Sequence, residues 1–412
     1  MDPAYSDRPR LRALEIFPVE VEGKRMICIR DPSGYTESTV VVTPAAMVVL
    51  SLCDGSNTRL DVQAEFTRRF SEILESAQLS QLLEQMDENL LLEGEKFDDH
   101  RRSVEEEFLR LESRPAAFAG KVYPEEGAAL RSHLEGIFSG GEANGLPDLT
   151  RQDGSLRGAI APHIDFERGG PTYAHIYKVI GEEASASLFV IFGTVHASTE
   201  MTYTATSKHF ETPLGKVLTD KASVERLTRR YGRDLFRDEF AHRSEHSIEF
   251  QVVFLRYLFP DLEISILPIL CGSFHSHVTS GQSPMDDPAV ADFIEAIREV
   301  IKESGKKPFY IAGADLAHVG LKFGHSEAPT PESCERLKGE DHLMLDHAVK
   351  GDGEAFYRSI QEEGDERNIC GLSPIYTLLK VMDKPRGKVI KYAQSPDPTL
   401  PSVVSYAGVA YY

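Results

Sequence analysis

The sequence has no CxxC pair and no apolar run near the ~20 residues that a membrane helix needs. Its five cysteines, Cys28, Cys53, Cys271, Cys334 and Cys370, are odd in number and widely spaced. That pattern argues against a disulfide framework. The opening stretch MDPAYSDRPRLRALE has no apolar core segment. A secretory signal is therefore not expected, and the chain is expected to stay in the cytoplasm. Cations are in deficit: 45 Lys and Arg against 65 Asp and Glu leave a formal net charge of −20. Such a surface repels phosphate backbones, which argues against non-specific nucleic-acid binding. No repeat or low-complexity segment is present.

What is there is an ordinary globular composition, 41% hydrophobic and 27% charged, over 412 residues. That length exceeds one ordinary core, so two domains are expected. Residues 1–97 read as a small unit. LEIFPVEV and RMICIRDP are short alternating runs, hence strands. A third strand runs into a helix at Thr43, the expected N-cap, with Pro44 behind it and Gly55 as the stop. Leu60, Val62, Phe66 and Phe70 mark a second helix, and Leu79, Leu82, Leu83, Met86 and Leu90 a third. LLLEGEKF is expected to close the unit as a strand or wing. The charged segment 98–114 reads as a solvated linker helix.

Residues 115–412 alternate strand and helix. GAIAPHI, LFVIFGTVH, ISILPIL, FYIAGADLAH, VIKYAQS and SVVSYAGVAYY are β-rich runs with helical patterns between them. Nearly continuous apolar strands joined by helices predict an α/β fold with a sheet covered on both faces. Four of the runs end in reactive side chains: His163 and Asp165, His196, Asp315 and His318, and Gln394. Ligands in open α/β folds sit beyond the carboxyl ends of strands, so these endings are expected to share one crevice. Arg243 to Glu249 opens a helix, with Ser244 as its expected N-cap. It adds Glu245, His246 and Glu249 within one turn. Cys370 precedes another helix start, where a thiol is expected to have a depressed pKa. It is a ligand or nucleophile candidate on that ground, or else a buried small hydrophobe.

Several motifs occur in one order: APH ending at His163, G-x-x-H at His196, EHSIE at Glu245 to Glu249, D-x-x-H at Asp315 to His318, and NICG at Asn368 to Gly371. YAQS at Tyr392 and SVVSYAG at Ser402 follow. In this set the region from Ala117 onward resembles the Memo family, whose fold is similar to the LigB-like class III extradiol dioxygenases. The resemblance implies a metal site with His163, His196 and Cys370 as ligands, and Asp165 as a substitute or partner. It implies His318, oriented by Asp315, as the proton-moving group, with His246 and Glu249 lining the pocket. The usual APHAGY reads Ala161-Pro162-His163-Ile164-Asp165-Phe166 here, and Phe118 stands where a histidine often precedes the early motif.

The first unit resembles PqqD-like winged-helix domains, through its Thr43-Pro44 helix start, Cys53-Asp54-Gly55 turn and final helix into Asn89-Leu90-Leu91. Such a unit either binds a peptide at a sheet edge or serves packing and dimerisation. The two parts together resemble the AmmeMemoRadiSam system protein B group, which implies a radical SAM enzyme and an AMMECR1-type protein as partners. Three functions stay open: a redox enzyme using iron or copper, a hydrolase using zinc, and a non-catalytic module holding a peptide or phosphorylated ligand in the same cleft.

Overall fold

The computed structural model describes residues 7–140, 145–150, 154–260 and 262–412. Residues 1–6, the start of the stretch read as lacking a signal, lie outside the described residues. The chain divides into two compact units, one ending at Arg110 and the other running from Leu111 to Tyr412.

In the first unit, β1 (Glu15–Val21), β2 (Lys24–Arg30) and β3 (Thr39–Val42) form an antiparallel meander. Three helices follow: α1 (Pro44–Ser51), α2 (Arg59–Phe70) and α3 (Ser76–Glu88). Thr43 caps α1 as expected, its hydroxyl accepting from the Ala46 amide. Thr58 and Asp61 close a capping box on α2. Val42, Leu50, Val62, Phe66, Leu83 and Met86 share one core. The expected closing wing is absent. Leu92 makes only an isolated bridge to Leu11, and α4 (Glu95–Arg110) begins three residues later. Two acids in its first turn favour that start. Phe97 and Phe108, three turns apart, are both buried. The helix is thus anchored rather than wholly solvated.

The second unit contains β4 (Ser113–Arg114), α5 (Gly127–Ser139), β5 (Gly158–Ala161), α6 (Phe166–Glu183), β6 (Leu188–Thr194), β7 (Tyr203–Ala205), β8 (His209–Phe210), β9 (Leu218–Thr219), α7 (Lys221–Tyr231) and α8 (His246–Leu258). It continues with β10 (Ser265–Cys271), α9 (His275–Ser280), α10 (Pro288–Ser304), β11 (Pro308–Gly313), β12 (His318–Gly320), α11 (Pro331–Val349), α12 (Gly353–Gln361), α13 (Leu372–Met382), β13 (Gly387–Asp397) and β14 (Ser402–Tyr411). The main sheet runs β12-β14-β5-β11-β6-β10-β7, with β13 on β14 and β9 on β10. Its centre, β5-β11-β6-β10, is parallel, and β14, β12, β13 and β7 add antiparallel edges.

Alternate residues of the parallel strands enter two cores. Val190, Phe192, Leu267 and Ile269 pack on one face with α10, α12 and α13. Phe189, Ile191, Ile266 and Ile311 pack on the other with α5, α6 and α8. This is the doubly covered α/β sheet expected from the sequence. Gln394 departs from expectation. It lies inside antiparallel β13, donating to the Cys334 carbonyl and the Tyr392 hydroxyl at 2.9 Å, and so ends no parallel strand. Among the described residues, no helix is long and apolar enough to cross a membrane.

Candidate metal centre

The carboxyl ends of β5, β6 and β11 meet the first turn of α8. The approach needs glycine on both β6 and β11. A Cβ at Gly193 would lie 2.5 Å from the Ser247 hydroxyl, and one at Gly313 would lie 2.3 Å from the Ser247 carbonyl. Ser247 Oγ donates to the Thr194 carbonyl at 2.7 Å, and Gln251 donates to the Pro162 carbonyl at 2.9 Å. These bonds lock α8 across two strand ends.

Three imidazoles converge at this junction. His163 follows β5, His196 follows β6 and His246 opens α8. One ring nitrogen from each lies within 4.8 Å of the other two. The His163 ring centre is 5.0 Å from that of His196 and 5.2 Å from that of His246, and the latter two rings stack at 4.7 Å. The second nitrogen of each ring is already engaged. His163 Nδ1 lies 3.0 Å from the Gly313 carbonyl oxygen. His196 Nδ1 lies 3.0 and 3.1 Å from the two Glu245 oxygens, and His246 Nδ1 lies 3.3 Å from Glu245 Oε1. A carbonyl and a carboxylate only accept, so the Nδ1 atoms of His163 and His196 donate to them. Burial pushes the His163 and His246 imidazoles down to about 3, so both are neutral.

Glu245 organises the cluster. It is buried and caps α8, accepting from the amides of His246 at 2.8 Å and Ser247 at 2.9 Å; the His196 amide adds a third bond at 2.9 Å. Burial alone would raise its pKa. The His196 and His246 rings and these donors outweigh that and hold it well below the usual carboxylate range. The expected cap, Ser244, stands one position earlier, since the helix begins at His246. Glu245, rather than Glu249, is the carboxylate in contact with the imidazoles. The signal that separates them is an acid at the residue just before a helix start, where amides point at it.

Asp315 and Cys370 flank His163. Asp315 Oδ1 accepts from the amides of His163 at 2.9 Å and Ile164 at 3.3 Å, and Oδ2 lies 3.8 Å from His163 Nε2. Burial raises its carboxyl to about 6, with His318 opposing. His318 is pushed down to about 4 by burial, and its ring meets Phe323 edge-on at 4.9 Å. Cys370 Sγ lies 3.4 Å from His163 Nε2. Its loop is pinned by the Cys370 amide on the Leu316 carbonyl at 3.2 Å, and a Cβ at Gly371 would strike the Asp315 carbonyl at 2.3 Å. The depressed thiol pKa expected at a helix start does not occur. Burial pushes it well above its ordinary value and the Asp315 carboxylate adds to the rise.

His246 therefore joins His163 and His196 within ligand range, and among the described residues no thiol or carboxylate satisfies the same mutual spacing. Asp165 lies apart from them as the N-cap of α6, bonded to the Arg168 amide at 3.0 Å and its guanidinium at 2.5 Å. Glu249 is wholly buried, bonded to the Arg114 guanidinium at 2.5 Å, the amides of Ala117 and Phe118, and the Tyr123 hydroxyl. It anchors the start of the unit, and no bond joins it to the imidazoles. Phe118 lays its ring 5.5 Å from that of His246, giving the cluster an apolar wall.

The residue set fits a transition metal. Three imidazole nitrogens, backed by a carboxylate and a carbonyl, suit zinc, copper or iron and disfavour magnesium or calcium. The model of the family described as Memo-like protein matches residues 114–410. A MEMO1 family protein of Aquifex aeolicus is 28% identical over 410 residues, 98% of this chain and the whole of the relative. One from Methanococcoides burtonii is 32% identical over 300 residues, 72% of this chain and 98% of the relative. One from Thermus thermophilus is 25% identical over 344 residues, 83% of this chain and 96% of the relative. With the family model spanning nearly all of the second unit, the chain belongs to the Memo-like family.

Proposed function

We propose that the second unit is a metal-dependent redox enzyme of the LigB-like extradiol dioxygenase lineage, with His163, His196 and His246 holding one iron or copper ion. The observation that carries this reading is the convergence of three imidazoles, one ring nitrogen of each lying within 4.8 Å of the other two. Bound iron or copper would supply electron transfer and Lewis acidity. The chain's own groups do the rest. Glu245 orients two rings, Phe118 excludes water beside His246, and Asp315 and His318 stand ready to hold or pass a proton next to His163. The Cys370 thiol, 3.4 Å from His163 Nε2, is the nearest further donor and favours a soft ion. The first unit, read as PqqD-like, would bring a peptide or partner to this centre, within a system containing a radical SAM enzyme and an AMMECR1-type protein.

The all-imidazole set equally favours a second reading, since three histidines with an open position are also a catalytic zinc arrangement. A zinc hydrolase would then act on an ester or amide. Metal analysis of anaerobically purified protein separates the two. Stoichiometric iron or copper supports the redox enzyme, and stoichiometric zinc alone overturns it.

A further inference from the structure

At the far end of the sheet from the imidazoles lies a cavity of about 520 Å³. Helix α13 spans the two sites. Its first residue, Leu372, follows Cys370 by two positions, and its last, Met382, packs where a Cβ of Gly158 at the start of β5 would be. The cavity's size is that of a small-molecule site. Its lining is not apolar, since Leu379 is the one large aliphatic side chain in it. Five cations line it, Arg298, Lys350, Lys380, Lys384 and Arg386, against three acids, Asp352, Glu354 and Asp383. A cationic excess is notable in a chain of net charge −20.

The acids are spoken for. Glu354 bonds the Tyr376 hydroxyl at 2.5 Å and Lys380 at 2.8 Å, Asp352 accepts from the Ala355 amide at 3.0 Å, and Asp383 lies 3.8 Å from Arg298. Arg386 donates to the Lys350 carbonyl at 3.3 Å and has no carboxylate partner among the described residues; neither has Lys350 or Lys384. Asp383 and Lys384 are consecutive left-handed residues without glycine, at φ 55° and 58°. Gly351 abuts this turn so closely that a Cβ there would lie 2.2 Å from the Pro385 carbonyl.

We infer that this cavity binds a small polyanion, a phosphorylated metabolite or polyphosphate, with Lys350, Lys384 and Arg386 as its charge partners. The site is separate from the metal centre and does not depend on the reading given for it.

Inorganic pyrophosphate is the probe, titrated calorimetrically into the full chain at about 0.15 M sodium chloride, where diffuse attraction is screened beyond ~8 Å. Saturable binding at one site is expected. Lys350→Glu and Lys384→Glu, both at exposed positions, should each weaken it at least tenfold without lowering the melting temperature. His196→Ala should leave it unchanged, which separates this site from pyrophosphate bound to a metal. Absence of saturable binding overturns the inference. So does binding that survives both lysine variants or is lost in His196→Ala. Tighter binding of a single-stranded oligonucleotide through the same lysines would overturn the small-molecule class.

Discussion

Replacing Glu245 by Gln removes one charge and almost no volume, so its effect isolates what the carboxylate does. Its oxygens accept from three amides at 2.8–2.9 Å and from the Nδ1 of His196 at 3.0 Å, with the Nδ1 of His246 at 3.3 Å. The three amides and the His196 Nδ1 are all donors. An amide side chain offers one oxygen, and its NH₂ group must face at least one N–H. Hydrogen bonds to a charged acceptor contribute about 1.5–3 kcal/mol each, and a buried donor left unpaired costs about 1–3 kcal/mol. Losing one bond and stranding one donor therefore destabilises the unit by roughly 3 kcal/mol. At about 2.1 cal/mol/K of unfolding entropy per residue, a unit of this size shifts by roughly 1.6 °C per kcal/mol, so its calorimetric transition should fall by roughly 5 °C. The imidazoles lose the partner that fixes their tautomers, so metal affinity in a chelator competition should drop about 10–100-fold. A variant that melts within about 1 °C of the parent and holds metal within about twofold would refute the assignment of Glu245 as the organiser of the site.

Other outcomes follow from the same geometry. His246→Ala should lose metal as completely as His163→Ala or His196→Ala, whereas Cys370→Ser should retain stoichiometric metal; the reverse pattern, read by metal analysis, would return the thiol to the ligand set. Glu249→Gln should destabilise the unit by about 3 kcal/mol or more in calorimetry, because it leaves Arg114 buried without its partner, yet leave metal affinity unchanged. The metal-free protein should be acid-labile. His163, His242 and His246 are pushed by burial to about 3 and His318 to about 4, below the roughly 6.5 of an unfolded chain. Their folded pKa values are depressed, so folding favours the neutral rings. Stability is full above pH ~6.5 and falls as pH drops from there toward 3. Denaturation midpoints that stay flat between about pH 6.5 and 4 would contradict this.

The fold of the second unit is legible in the sequence because its strands are nearly all apolar and its helices periodic. The unbroken apolar run Phe189, Val190, Ile191 and Phe192 is enough to require cover on both faces of β6. Short pieces are not legible: α12, with nine residues, and β7, with three, take their identity from tertiary packing. The wing expected near Leu92 fails because three consecutive leucines suit a strand, while the acids after Gly94 start a helix. At the site, His163 and His196 are readable as strand endings. His246 is readable as a pocket residue, but its rank as a potential ligand depends on the stacking of two rings 50 residues apart in the chain. The thiol's environment is hidden for a similar reason: proximity to a helix start is visible in sequence, and burial against Asp315 is not.

The double duty of Glu245 sets the order in which this centre is assembled. As the N-cap of α8 it is placed by folding itself, and with it come the rotamers of His196 and His246. An ion bound as proposed would enter a finished socket. This contrasts with small zinc modules, in which the metal and the fold arrive together and a chelator unfolds both. On the proposed reading the ion would act as an ordinary ligand of the native state, adding about 2.7 kcal/mol when its free concentration is a hundred times its dissociation constant. If the proposed metal binds there, the cell could exchange or withhold it without losing the protein, and occupancy would follow metal supply rather than synthesis.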